Sequence, residues 1–87
     1  MSELKAIELQ DTAEMMTSPD YKERFKAEYY QLEIRYGKLA EMLKRLAAGT
    51  LDFTPTCPIE LLEEQAAHMV RYMRCLEERA KLEGITL

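Results

Sequence analysis

The sequence is poor in the residues that build catalytic and metal sites, and it has no long apolar run. Its 87 residues include three glycines, three prolines, two cysteines, one histidine and no tryptophan. No stretch approaches the roughly 18 apolar residues of a membrane span, and the N-terminus lacks the basic start and apolar stretch of a signal peptide. We therefore expect one small cytosolic domain, residues 1–87, with no membrane partner.

The cysteine and histidine content argues against catalysis. Cys57 and Cys75 lie 18 residues apart without C-x-x-C spacing, so neither a disulfide framework nor a zinc site is predicted, and we expect Cys75 to be partly buried. The single histidine, His68, has no nucleophile at a strand-to-helix turn to activate. No glycine-rich loop precedes a helix, which excludes a P-loop or a dinucleotide fingerprint. The sequence predicts no enzyme, no cofactor and no metal.

A first long helix is predicted over residues 19–48. Ser18 can cap its start, Pro19 suits its first turn, and Gly49 suits the left-handed residue that ends a helix. Apolar residues recur at alternating spacings of four and three, as in the seam of a coiled coil. They are Phe25, Tyr29, Leu32, Tyr36, Leu39, Leu43 and Leu46. This seam is expected to pack against another helix.

A second long helix is predicted over residues 58–83, opened by Pro58 and closed by Gly84. It carries two adjacent stripes with the same alternating spacing. One stripe is Leu62, Ala66, Met69, Met73, Leu76 and Ala80, and the other is Leu61, Gln65, His68, Tyr72, Cys75 and Arg79. One partner helix cannot cover both stripes, so part of this apolar surface is left for another chain.

The predicted fold class is all-α: a short N-terminal helix and a long antiparallel helical hairpin. The short helix covers residues 3–15 with Ser2 as its cap, and its apolar spacing is weaker. In the connector, Leu51 and Phe53 are expected to tuck under the hairpin. So small a helical core contributes little stability, and we therefore expect a compact homo-oligomer.

The charge is unevenly distributed along the chain. The net charge of −4 argues against binding of duplex nucleic acid, but residues 21–48 carry seven bases and four acids. Tyr21 and Arg24, three residues apart, share one helix face, where they offer an aromatic ring and a cation to an anion that carries flat bases. The alternative from composition alone is that Tyr21 packs at an interface and the bases form surface ion pairs.

A specific pattern extends over both long helices and the connector. It comprises Tyr21, Arg24, Glu28, Leu32, Lys38, Leu39, Phe53, Leu61, Leu62, Gln65, Met69, Tyr72, Leu76 and Arg79. Over about residues 19–84, this pattern resembles the phage anti-CBASS sponges of the second described type, which sequester cyclic-oligonucleotide alarm signals. The segment before Ser18 departs from the shorter members of that family.

The resemblance implies a non-enzymatic inhibitor in the cytoplasm of the infected bacterial host. Its family members form helical homohexamers that bind cyclic dinucleotides, such as cyclic GMP-AMP, between protomers. Further pockets take cyclic trinucleotides, such as cyclic triadenylate. Binding without cleavage then deprives the host CBASS effector of its signal.

The resemblance also implies roles for particular residues. Tyr21 matches the tyrosine that stacks on the bases, with Arg24 on the same face. Lys38 fits the lysine that meets the phosphates, and Lys26 is an alternative. An arginine of the last helix contacts the trinucleotide in that family, and here either of two residues, Arg71 or Arg74, can fill this role.

Two other readings of the sequence stay open. A helical adaptor or protein-binding inhibitor would use the doubled stripe and would need no nucleotide ligand. A related sponge for an ADP-ribose-type signal would need similar side chains, because such a ligand also presents a base and phosphates.

The expected self-association can be checked by light scattering at micromolar protein concentration. A chain of 10.2 kDa that covers its second stripe with copies of itself should give a particle several times that mass. A monomer mass at that concentration would contradict the prediction.

Overall fold

A computed structural model describes residues 7–87, which form helices joined by short connections. A 3₁₀ turn, Leu9–Asp11, leads into α1, Thr12–Met16, and two long helices follow: α2, Tyr21–Ala48, and α3, Ile59–Glu83. No strand occurs within this part of the chain. The all-helical fold class predicted from the sequence is confirmed for these residues.

The cap of α2 lies two residues after the predicted cap, Ser18, and the helix starts at Tyr21. Asp20, with an extended backbone, caps the helix by accepting a hydrogen bond from the Lys22 N–H at 3.0 Å. Ser18 acts one step earlier, because its Oγ accepts from the Asp20 N–H at 3.1 Å and so holds the turn that presents the cap. Gly49 ends α2 with a φ of 74°, the left-handed conformation predicted for it.

The boundaries of α3 are set by a proline and a glycine. Pro58 is the N-cap residue, just outside the helix, rather than its first helical residue. Gly84 closes the helix with a φ of 70°. The chain then turns back, with the Ile85 N–H donating to the Ala80 carbonyl at 2.8 Å, and Ile85 is buried.

The predicted first helix, 3–15, differs from the structure. Its cap and residues 3–6 lie outside the described residues, and Ile7 and Glu8 are not helical. The backbone of Glu8 is extended, and its N–H donates to an Asp11 carboxylate oxygen at 2.9 Å. This acidic capping arrangement starts the helical segment at Leu9 instead.

The core of the molecule lies where the first half of α2 packs on the second half of α3. Its buried residues are Phe25, Tyr29, Leu32, Leu76, Ala80 and Ile85. The Lys22 ammonium, at the start of α2, donates to the Gly84 carbonyl, at the end of α3, at 3.4 Å. Farther from this core, Leu39, Leu43 and Leu46 are only half-buried.

Two predicted burials are wrong. Phe53 of the connector is 55% exposed, because the tight core lies at the opposite end of the two helices and no element within residues 7–87 folds over the connector. Cys75 is exposed because it lies on the second stripe of α3, beside the face that packs on α2 through Leu76 and Ala80.

One polar contact joins the two long helices inside the core. The buried Tyr29 hydroxyl donates to a Glu77 carboxylate oxygen at 2.6 Å. This hydrogen bond, helped by burial and by the Glu77 charge, raises the pKa of Tyr29 to about 12. The Tyr29 hydroxyl is therefore protonated in the folded protein at neutral pH.

Substitution Tyr29→Phe should lower the free energy of unfolding by about 1–2 kcal/mol at neutral pH, since it removes a hydrogen bond to a charged acceptor. Denaturant titration measures this change. Because the folded-state pKa lies above the usual 10, the contribution is complete below pH 10 and is lost as the pH rises toward 12.

The matched control is Tyr36→Phe, on the same helix, whose hydroxyl has no hydrogen-bond partner within residues 7–87. This control should change stability little at any pH. A loss of stability in the Tyr29→Phe variant that persists unchanged at pH 12 would contradict the assignment.

Candidate functional site

Tyr21 is placed at the first position of α2 with 46% of its surface exposed. It lies near the end of α3, since the ammonium of the next residue, Lys22, donates to the Gly84 carbonyl at 3.4 Å. No side-chain hydrogen bond to the Tyr21 hydroxyl is present in the described part of the chain. The ring is therefore accessible for stacking.

A polar and aromatic edge, here called the tyrosine edge, is formed by Tyr21, Glu28, Tyr72 and Arg79. The Arg79 guanidinium lies over the Phe25 ring, 4.8 Å from its centroid, and its Nε donates to Glu83 at 2.9 Å. The Tyr72 hydroxyl donates to the Glu28 carboxylate. This edge combines aromatic rings with a fixed guanidinium.

Sequence reasoning did not select Tyr72 and Arg79 as site residues. Both belong to the second stripe of α3 and to the pattern that carries the family resemblance. They are seven residues apart, which is about two helical turns, and this spacing indicates from the sequence that they share one face of α3. Their contacts with Phe25 and Glu28 on α2 required the packing of the two helices to be known.

Arg24 and Lys26 are both engaged by their own neighbourhood. The Arg24 Nη1 donates to the Ser18 carbonyl at 2.6 Å, so this guanidinium fastens the turn that precedes α2. The Lys26 ammonium lies 3.3 Å from a Glu23 carboxylate oxygen, one helical turn away. To bind a ligand, each of these cations would have to give up its present contact within the chain.

Lys38 lies far from Tyr21 in the same chain. The 17 residues between them correspond to about 25 Å along α2 and about 100° around its axis. The Lys38 side chain lines a cavity of about 410 Å³ between α2 and the N-terminal segment. The other residues of its lining are Ile7, Glu8, Leu9, Gln10 and Ile34.

Arg71 and Arg74 lie on the outer face of α3. Leu76 and Ala80 mark the face that packs on α2, and both arginines are exposed. Within residues 7–87, neither arginine forms an ion pair with a carboxylate. The structure therefore does not bring the six sequence-predicted site residues together in one chain.

The second stripe of α3 forms an open, largely apolar groove of about 550 Å³. Its lining residues are Leu61, Glu64, Gln65, His68, Met69 and Tyr72. Leu61 and Tyr72 are 53% and 45% exposed, so α2 leaves this part of the second stripe largely uncovered. His68 is also exposed, and its Nε2 lies 3.6 Å from Glu64. This uncovered face is suited to contact with another chain.

Within residues 7–87, no three side chains among His, Cys, Asp and Glu come together as metal ligands. None of the helices in this same range has the length and apolar character needed to cross a bilayer.

Residues 7–87 form a small all-helical protein with an exposed aromatic edge and an open apolar groove. The Sequestin family model matches residues 19–82, which is 64 of the 87 residues and includes all of α2 and nearly all of α3. The chain therefore belongs to the Sequestin family, whose members are cyclic-oligonucleotide sponges. No curated protein and no solved structure matches the chain.

Proposed function

We propose that this protein is a phage anti-CBASS sponge of the second described type. It binds cyclic di- and trinucleotides without cleaving them, in the cytoplasm of the infected bacterial host, and so prevents activation of the host effectors. The observation that carries this proposal is the family match over the two long helices, which contain Tyr21, Lys38 and both outer arginines.

The pocket lies between protomers. Tyr21 and Lys38 are about 25 Å apart along one helix, so a compact ligand that meets both must take them from different chains. The open groove beside Tyr72 supplies apolar surface for self-association. The contact between Lys22 and Gly84 supports an antiparallel hairpin as the repeated unit, and we propose a homohexamer built from such hairpins.

Symmetry lets a short chain bind such a ligand. A two-fold interface presents each side chain twice, which matches the two bases and two phosphates of a cyclic dinucleotide. Stacking contributes roughly 1–3 kcal/mol per base, and a charge-assisted hydrogen bond contributes about 1.5–3 kcal/mol. Two of each give about 5–12 kcal/mol before the cost of association.

Lys38 is a better phosphate ligand than Lys26. Lys26 is already paired with Glu23 at 3.3 Å, whereas Lys38 lines a cavity that can admit part of a ligand. Arg24 acts through the backbone, because its hydrogen bond to the Ser18 carbonyl fixes the turn just before Tyr21.

A helical adaptor is the second candidate function, and the groove of α3 is the observation that favours it. An adaptor would use this groove for a partner protein and would leave Tyr21 without a ligand. Calorimetric titration with a panel of cyclic di- and trinucleotides separates the two functions. Saturable binding, followed by chromatographic recovery of intact ligand, supports the sponge, and absence of heat with every member favours the adaptor.

Substitutions Tyr21→Ala and Lys38→Ala should each weaken cyclic-dinucleotide binding by about tenfold or more, because one removes the stacking surface and the other a phosphate cation. Tyr21→Phe keeps the ring and should bind nearly as well as the wild type. Lys44→Ala removes an exposed lysine of the same helix and serves as the control. Wild-type affinity in both alanine variants, measured by calorimetry, would refute this pocket.

Substitution of Arg71 or Arg74 by alanine should weaken cyclic-trinucleotide binding by about tenfold while leaving dinucleotide binding unchanged. The reason is that these outer cations lie on a different face from the tyrosine edge. Lys81→Ala, which removes a cation already paired with Glu78 on α3, is the control. Equal losses for both ligand classes would show that the two pockets are not separate.

A further inference from the structure

The N-terminal segment, residues 7–16, packs on α2, and the buried Thr12 lies at this contact. Thr12 is fully buried, and its Oγ1 accepts a hydrogen bond from the Gln31 amide at 2.9 Å while donating to the Leu9 carbonyl at 2.6 Å. The same Gln31 amide contacts the Met16 sulfur. Gln31 therefore holds both the start and the end of α1 against the middle of α2.

This attachment creates the cavity that Lys38 lines. Four consecutive residues of the segment, 7–10, form one wall, and Ile34 and Lys38 of α2 contribute the other. Lys38 is the only cation among these lining residues, and Glu8 is the only carboxylate. The Glu8 N–H donates to an Asp11 carboxylate oxygen at 2.9 Å, and this capping hydrogen bond fixes the backbone of the wall.

The wall lies outside the part of the chain that the family model matches. That match begins at residue 19, whereas the wall and Thr12 lie before it. Lys38, Gln31 and Ile34 lie inside the matched range. The cavity thus combines Lys38, which lies in the part matched by the family model, with residues 7–10, which precede that part.

We propose that residues 7–16 are a positioning element for the ligand: residues 7–10 form the second wall of the pocket in which Lys38 meets a phosphate of a cyclic dinucleotide, and α1 holds that wall against α2. Gln31 is a positioning residue, because it acts through Thr12 and not on the ligand. This inference rests on the proposed function. A wall beside the ammonium restricts the lysine stem to fewer rotamers and reduces its exposure to water, and both effects strengthen a phosphate contact.

The test compares Gln31→Leu and Thr12→Val with the wild type by calorimetric titration with cyclic GMP-AMP. Each variant removes one side of the same hydrogen bond and nearly preserves side-chain volume. We expect affinity to fall about threefold to tenfold in each. Thr50→Val, which removes an exposed hydroxyl after α2, is the matched control and should bind like the wild type.

A double-mutant cycle distinguishes positioning from a general structural effect. If Gln31 acts through Lys38, then Gln31→Leu costs no further affinity in the Lys38→Ala background. In the unliganded protein, Lys38 should also react faster with an amine-specific reagent after Gln31→Leu, with the reactivity of Lys44 unchanged. Mass spectrometry of the modified peptides measures both rates.

The outcomes separate this inference from the function on which it rests. Wild-type affinity in both Gln31→Leu and Thr12→Val, or the same fold-loss with and without Lys38, overturns the positioning role and leaves the proposed function intact. A wild-type protein that binds no cyclic dinucleotide overturns the proposed function and this inference together.

Discussion

The packing of α2 between two different neighbours is the constraint on which the rest of the structure depends. One face of this helix meets α3 through the Phe25 and Leu76 core, and the other meets the N-terminal segment through Gln31 and Thr12. Tyr21 and Lys38 are separated by about 25 Å along α2 and by about 100° around its axis, so they lie on different parts of the surface. Any compact ligand that needs both must be held by more than one chain.

The same packing leaves α3 half covered. Its first stripe lies against α2, while the groove that includes Leu61 and Tyr72 stays open. An exposed apolar groove beside exposed tyrosines is typical of a protein that functions as an assembly. Membership in the Sequestin family fits such a surface, since a sponge needs pockets and no catalytic groups. The segment before residue 19 adds a wall to this shared framework.

Sequence patterns predicted the features that depend on local chemistry. Apolar spacing indicated the packed stripe of α3, and left-handed glycines at positions 49 and 84 end the two long helices. Burial of Phe53 was predicted wrongly, because hydropathy does not show at which end of a helix pair the core forms. The cavity around Lys38 was beyond prediction, since it depends on a hydrogen bond between residues 19 positions apart. The proposed pocket between protomers would depend on contacts between chains, which the pattern within one chain does not specify.

The central claim is that intact cyclic dinucleotide is bound at sites shared between chains. Native mass spectrometry of the protein mixed with cyclic GMP-AMP tests it most directly, because one spectrum counts subunits and ligands together. The account predicts an assembly with an even number of chains that carries unmodified dinucleotide, one molecule for every two chains. A monomer that carries the ligand, or an assembly whose bound mass corresponds to cleaved nucleotide, would contradict it.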